Sequence, residues 1–258
     1  MKPLSTRLDL KEFLDEKADF YNRPDFIEND PLQIPHLFSR KQDIEIAGFL
    51  TATISWGNRK SIINDAKKMM DFMEHSPYDF VQHVSEKELC QLQDRSIHRT
   101  FTGEDFREFI LHLKKIYALH ESMEELFLMR ENEDNFYHSL ERFRSSFLEN
   151  SPHRSQKHVS STYKNSSAKR LMMFLRWMVR RDRKGVDFGI WDRLSPKFLS
   201  VPLDVHTGNI ARQLMILTRT QNDWKAVSEM DSVLRTFNSD DPALYDFALF
   251  GIGVSKDF

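Results

Sequence analysis

Two residues in the second half of the chain could do chemistry together. Lys169 begins the run KRLMMFLRWMVR, and Asp204 lies within VPLDVHTGNIAR. A lysine amine at a helix N-terminus is a candidate nucleophile, because the positive end of the helix dipole disfavours the ammonium form. A carboxylate can stabilise positive charge that develops on a substrate. The plainer interpretation is a surface lysine and a capping aspartate.

Both residues are expected at helix N-termini, which would hold them in place. Ser166 or Ser167 is the expected cap of a helix that has Lys169 in its first turn. The buried stripe of that helix is expected to consist of Leu171, Phe174, Leu175 and Met178. Proline followed by Asp204 predicts a short extended entry, an aspartate N-cap and a second helix.

A second helical pair is predicted near the start of the chain. From Asp43, the segment DIEIAGFLTATISW is apolar on most sides, which is typical of a central helix that is buried all round. It is expected to stop at Gly57. Asn58 then has the character of an N-cap for the following helix, NRKSIINDAKKMMDFM.

The spacing of apolar residues predicts an all-α fold with two packed helical subdomains. Apolar residues recur every three or four positions almost throughout, and strand-like alternation is nearly absent. We expect residues 1–258 to form a single helical unit, with a bundle over 43–149 and a Ser-rich loop over 150–167. Residues 160–258 would form the half that carries Lys169 and Asp204, with residues 1–42 packed on it.

The composition excludes several classes of protein. A single cysteine, Cys90, allows no intrachain disulfide and no cysteine-rich metal site. Only 8 glycines occur, and Gly-rich phosphate loops and HExxH zinc motifs are absent. We therefore expect no metal and no cofactor. The charged N-terminus and the lack of a long apolar run predict a cytoplasmic protein without membrane association.

Positive charge is concentrated in one segment. Residues 151–200 contain twelve Lys and Arg against three Asp, so this segment carries +9 and the rest of the chain −11. A nearly neutral chain with one basic block is typical of a protein that meets a polyanion on one face. The alternative is a solvated basic loop and helix.

These segments together resemble known families. Lys169 with its helix, followed by VPLDVHTGNIAR, resembles the catalytic segment of the helix-hairpin-helix DNA glycosylases, especially the 8-oxoguanine branch. TATISWGNRKSI resembles the first signature of that superfamily. Over essentially the whole chain, KRLMMFLRWMVR, VPLDVHTGNIAR and DPALYDFALFGIGV are similar to domain of unknown function 2400, whose name implies no activity.

The resemblance to the glycosylases implies a role for each matching residue. Lys169 would attack C1′ of the nucleotide to give a Schiff base, and Asp204 would stabilise the charged sugar. The expected contacts to damaged duplex DNA are Asn58, Arg59, Lys60, Lys164, Ser167, Arg170 and His206. The expected base pocket consists of Trp56, Phe247 and Phe250. The resemblance implies no obligate protein partner.

The chain departs from the glycosylase pattern at two places. The family's Gly-rich hairpin before the lysine is replaced by TYKNSSAK, and the connection 181–199 is longer than usual. The late glycine pair, Gly251 and Gly253, follows an apolar helix and is expected to form a C-terminal turn.

Two other functions are compatible with the sequence. One is a helical module that binds nucleic acid without catalysis, and the other is a helical protein-protein interaction module. Only the enzyme should form a covalent adduct with DNA, and only the interaction module should lack DNA affinity at low salt.

Overall fold

The computed structural model describes residues 6–92, 94–149 and 154–255. The described chain is mostly helical, which confirms the all-α prediction. The helices are α1 (Arg7–Tyr21), α2 (Asp25–Glu28), α3 (Lys41–Thr53), α4 (Arg59–Phe72), α5 (Pro77–His83), α6 (Glu86–Cys90), α7 (Gly103–Leu119), α8 (Tyr137–Phe147), α9 (Lys169–Val179), α10 (Val205–Gln213), α11 (Trp224–Phe237) and α12 (Tyr245–Ser255). Single 3₁₀ turns cover Pro31–Gln33, Pro35–Leu37, Met123–Phe127, Ser155–His158, Pro196–Phe198 and Pro242–Leu244.

The strands β1 (Ser96–His98) and β2 (Phe101–Thr102) pair as an antiparallel hairpin. Among the described helices, none combines the length and the apolar character that a bilayer crossing requires.

The chain forms two compact units whose boundaries differ from those expected. The described parts of 27–130 and 139–160 form one, here called the bundle unit. The described parts of 1–26, 131–138 and 161–258 form the other, called the Lys/Asp unit.

Residues 27–42 thus belong with the bundle. The physical reason is that the proline turns Pro31–Gln33 and Pro35–Leu37 pack on α3 and bury Leu32 and Ile34 completely.

The expected loop over 150–167 has structure where it is described. Residues 150–153 lie outside the described residues. Ser155–His158 forms a 3₁₀ turn, and the Ser155 hydroxyl donates to buried Asp105 at 2.9 Å. His158 is also buried, with Nε2 3.2 Å from an Asp105 oxygen. The turn is therefore part of the bundle unit.

The bundle unit has α3 at its centre, as the apolar pattern predicts. Every residue of α3 from Ile44 to Thr53 is buried. Phe49 of α3 contacts the rings of Phe109, Phe143 and Phe147 at centroid distances of 5.1 to 5.8 Å, with both stacked and edge contacts.

In the Lys/Asp unit, α12 packs against both α1 and α10. The expected C-terminal turn at Gly251 and Gly253 is wrong, because both glycines lie inside α12. Gly251 is the point where the Tyr21 ring approaches the helix. A Cβ at residue 251 would lie 2.2 Å from a Tyr21 ring carbon, so no larger side chain fits there.

Gly251→Ala is therefore expected to destabilise the protein by about 1 to 3 kcal/mol through overpacking, although alanine is the better helix former. Gly253→Ala is the matched control, because its Cβ would meet its nearest neighbours at 3.4 Å, an ordinary contact. Urea unfolding of both variants measures the difference. Equal stability of the two would contradict the close approach of Tyr21.

Candidate active site

Lys169 is the first residue of α9, as predicted, but the expected serine cap is wrong. The N-cap is Ala168, with φ 48° and ψ 33° in the left-handed region, and no described side chain caps the helix. Ser166 Oγ instead accepts from Ala168 N at 3.1 Å, and Ser167 Oγ donates to the Leu203 carbonyl at 3.3 Å. The N-cap residue Ala168 therefore provides no side-chain acceptor for the first turn of α9.

Asp204 is the N-cap of α10, as predicted. Its Oδ1 accepts from Thr207 N at 3.0 Å. Its Oδ2 lies 3.8 Å from Lys169 Nζ, an ion-pair distance that is longer than a hydrogen bond. About a quarter of each side chain is exposed, 26% for Lys169 and 24% for Asp204. Oδ1 of Asp204 thus caps α10, while Oδ2 lies on the side of the Lys169 amine.

The starts of α9 and α10 lie side by side. The Ser167 bond to Leu203 joins the residue two before Lys169 to the residue just before Asp204. The two functional groups therefore lie at helix ends that this hydrogen bond from a side chain to the backbone connects. An amine and a carboxylate that are close together and partly exposed can act as a nucleophile and its electrostatic partner.

Asp246 of α12 is a third charged group at this site, and sequence reasoning missed it. It is buried and accepts a hydrogen bond from Arg176 Nη1. Burial raises the pKa of Asp246 to about 6; the Arg176 charge opposes this rise, whereas the charge on Asp204 adds to it. The sequence contains one indication of such a carboxylate. Arg176 is seven residues after Lys169 and so lies on the same face of α9, where a carboxylate that pairs with it would also lie.

The basic block is not one exposed surface. Arg176 and Arg180 are 3% and 2% exposed, so they are buried. Four cations of the block form ion pairs within the Lys/Asp unit: Arg176 with Asp187 and Asp246, Arg180 with Asp182, Asp187 and Asp241, Arg181 with Asp192, and Lys184 with Asp19. Arg176 and Arg180 therefore do not belong to an exposed basic surface, whereas Arg181 and Lys184 remain partly exposed in their ion pairs.

The four residues that the resemblance assigns to phosphates in this unit differ in exposure. Lys164 and His206 are exposed, whereas Ser167 and Arg170 are half-buried. Burial lowers the pKa of Arg170 to about 10. The structure places His206 in the first turn of α10, two residues after Asp204.

The remaining DNA candidates lie in the bundle unit. Asn58 caps α4, as predicted, and accepts from Ser61 N at 3.1 Å. Arg59 and Lys60 form the first turn of that helix. Trp56 is half-buried between two imidazoles, edge-on to His98 at 5.0 Å and stacked on His158 at 6.0 Å.

The two phenylalanines expected in the base pocket have different surroundings. Phe247 is fully buried, and the guanidinium carbons of Arg176 and Arg180 lie 4.4 and 5.1 Å from its ring centre. Phe247 therefore belongs to the core of the Lys/Asp unit, the alternative that its position on an apolar last helix also favours. Phe250 is half-buried, with its ring centre 6.0 Å from that of Phe26.

Within the described ranges, no group of three or more His, Cys, Asp and Glu side chains is arranged to hold a metal ion. The functional groups that the structure places at the site are therefore one amine, from Lys169, and two carboxylates, from Asp204 and Asp246.

Comparison with known protein families gives a match over most of the chain. The family whose sequence model matches residues 30–255 is described as "Protein of unknown function (DUF2400)". A search of curated proteins and a search of solved structures each found no match. Because the family match covers most of the chain, the protein belongs to the DUF2400 family.

Proposed function

We propose that the protein is a base-excision DNA glycosylase with abasic-site lyase activity. The observation that carries the proposal is the pairing of Lys169 Nζ with Asp204 Oδ2 at 3.8 Å, with both side chains partly exposed. The resemblance of VPLDVHTGNIAR to the catalytic segment of the helix-hairpin-helix glycosylases supports it. We further propose that the fold is related to theirs.

The two side chains have distinct roles in the proposed reaction. The neutral Lys169 amine gives its electron pair to C1′ while the bond from C1′ to the base breaks, and the base leaves with that electron pair and takes up a proton. Asp204 stabilises the positive charge on the sugar and accepts a proton from the attacking nitrogen. Opening of the sugar ring gives a Schiff base, from which β-elimination expels the 3′ phosphate.

The backbone before α9 supports an anion site despite the missing glycines. Asn165 and Ala168 have positive φ values of 61° and 48°, the conformation that glycine adopts most easily. The start of α9, where the N-cap is an alanine, supplies the positive end of the helix dipole. In the proposal, Lys164, Ser167, Arg170 and His206 add to this phosphate contact, with Lys169 left for the sugar.

The bundle unit supplies the other proposed contacts. Asn58, Arg59 and Lys60 at the start of α4 would contact the DNA around an extruded base, and Trp56 just before them would contact that base. The proposed partner is damaged duplex DNA. A single cysteine fits a reducing compartment, and we propose the cytoplasm.

The decisive experiment exposes the wild-type protein to duplexes that each contain one oxidised base, one alkylated base or one abasic site, with borohydride present. We expect base release from at least one lesion and a trapped covalent adduct, which peptide mass spectrometry maps to Lys169. DNA binding without any adduct would favour the non-catalytic module. A lack of binding at low salt would favour the protein-protein interaction module.

Asp204→Asn tests the carboxylate without removing the helix cap, because asparagine caps as well as aspartate does. We expect base release to slow by roughly 10²- to 10³-fold, the usual effect of losing one electrostatic contact in a transition state. Single-turnover base release measures this, and circular dichroism checks that α10 is retained. A wild-type rate would remove Asp204 from the mechanism.

A further inference from the structure

A short segment after α10 contacts the residues at or just before the starts of α9 and α10, the helices that carry Lys169 and Asp204. This segment, here called the brace, consists of residues 219–223 and ends at the N-cap of α11. It lies in the Lys/Asp unit, as do Lys169 and Asp204. Sequence reasoning assigned it no role.

One end of the brace holds the backbone of Asp204. Asn222 Nδ2 donates to the Asp204 carbonyl at 2.9 Å. Arg212 Nη2 donates in turn to Asn222 Oδ1 at 2.6 Å. Arg212 also donates to the carbonyls of Arg219 and Thr220, at 2.8 and 3.0 Å. The Asn222 amide is therefore fixed in the orientation that presents its donor to Asp204.

Gly208 leaves the space that this contact requires. A Cβ at residue 208 would lie 2.6 Å from Asn222 Oδ1 and 2.9 Å from Arg212 Nη1. Gly208 lies inside α10, where glycine costs about 1 kcal/mol relative to alanine. Packing against Asn222 gives a reason for glycine at this position.

The other end of the brace holds the turn before Lys169. Asp223 Oδ2 accepts from Asn165 Nδ2 at 2.8 Å, and Asp223 pairs with Ser166 in an isolated antiparallel bridge. Trp224 N donates to the Asn165 carbonyl at 3.2 Å. Arg219 forms an ion pair with Asp223, and its hydrogen bond is the main reason why the pKa of Asp223 lies well below its ordinary value. Asp223 therefore remains an acceptor for Asn165.

We propose that Asn222 and Asp223 are positioning residues that set the separation of the Lys169 amine and the Asp204 carboxylate. Neither touches the amine or the free carboxylate oxygen. They act through the backbone of Asp204 and through the turn at 165–166. The catalytic consequence rests on the proposed function, whereas the positioning itself is a property of the protein alone.

The test uses Asn222→Ala and Gly208→Ala, with Gly253→Ala as the matched control. Gly208→Ala keeps Asn222 but displaces its side chain, and it improves helix propensity. Overpacking against Asn222 opposes this gain in helix propensity, so stability alone does not identify a positioning role and the readouts at Lys169 decide. Thermal unfolding shows that each variant is folded.

The first readout needs no DNA. Acetic anhydride acetylates exposed amines, and mass spectrometry gives the rate at Lys169 relative to Lys225. A partly exposed ion pair is worth up to about 1 kcal/mol. We therefore expect Asn222→Ala and Gly208→Ala, together called the brace variants, to raise the acetylation rate of Lys169 about two- to fivefold, to the rate in Asp204→Asn. The control should retain the wild-type rate. Wild-type rates in folded brace variants would overturn the proposal.

The second readout is borohydride trapping on a duplex with an abasic site, where the brace variants are expected to lose about tenfold in rate through misplacement of the amine. If the wild type forms no adduct, the proposed function fails, and the acetylation rates still decide the positioning role. If the wild type is active and the brace variants trap at its rate, the catalytic part of the proposal is wrong.

Discussion

Lys169→Gln is expected to abolish the covalent DNA adduct and to lower base release by at least about 10³-fold, because it removes the proposed nucleophile. The substitution removes only a side chain that is 26% exposed, so we expect the fold to be retained. Single-turnover base release and borohydride trapping measure the loss. Binding to an uncleavable duplex should remain close to that of the wild type.

Lys164→Gln provides the control for charge. Lys164 is an exposed lysine five residues before Lys169 and is proposed to contact only phosphate. We expect its loss to weaken DNA affinity and to reduce the salt dependence of binding, with adduct formation retained at saturating DNA. Adduct formation by Lys169→Gln at the wild-type rate would show that another residue is the nucleophile.

Arg176→Ala is expected to have the largest effect on stability, a loss of about 3 to 5 kcal/mol, because it leaves buried carboxylates without their cation. Arg176 is the shared partner of Asp187 and Asp246, and both carboxylates are buried. Urea unfolding at pH 8 measures the loss. Lys184→Ala, which breaks a solvent-exposed pair with Asp19, is the control and should change stability little.

The deficit of Arg176→Ala should depend on pH. Burial already raises the pKa of Asp246 to about 6, against 3.8 for the ordinary carboxyl. A group whose pKa is raised by folding favours the folded state below its unfolded pKa and loses that contribution as the pH rises through the folded value. Without Arg176 the rise is larger, so the variant should recover stability between pH 8 and pH 5. A pH-independent deficit would contradict this account.

Local signals in the sequence predicted the helix ends that carry Asn58 and Asp204. Both residues have a short side chain that accepts from a backbone N–H three residues ahead, and this bond depends only on neighbouring residues. The proximity of Lys169 to Asp204 followed only from the family resemblance, because thirty-five positions separate them. The structure places both in one unit, with Lys169 Nζ 3.8 Å from Asp204 Oδ2.

Features that depend on distant parts of the chain could not be predicted. Ser166 and Ser167 satisfy the pattern of a cap, but their hydroxyls bond to Ala168 N and to the Leu203 carbonyl instead. Counting charge over 151–200 could not show that Asp241 and Asp246, both outside that segment, form ion pairs with two of its arginines in the protein interior. The same holds for Asn222, whose partner at residue 204 precedes it by eighteen positions.

The contact between α1 and α12 has a consequence for synthesis of the protein. α1 leaves the ribosome early, yet the helix that covers it is made only after almost all of the described chain has been translated. Residues 27–130, by contrast, are continuous in the chain and can begin to assemble while translation proceeds. The Lys/Asp unit therefore cannot complete its native packing until α12 has been translated, because the face of α1 that α12 covers has no native partner before then.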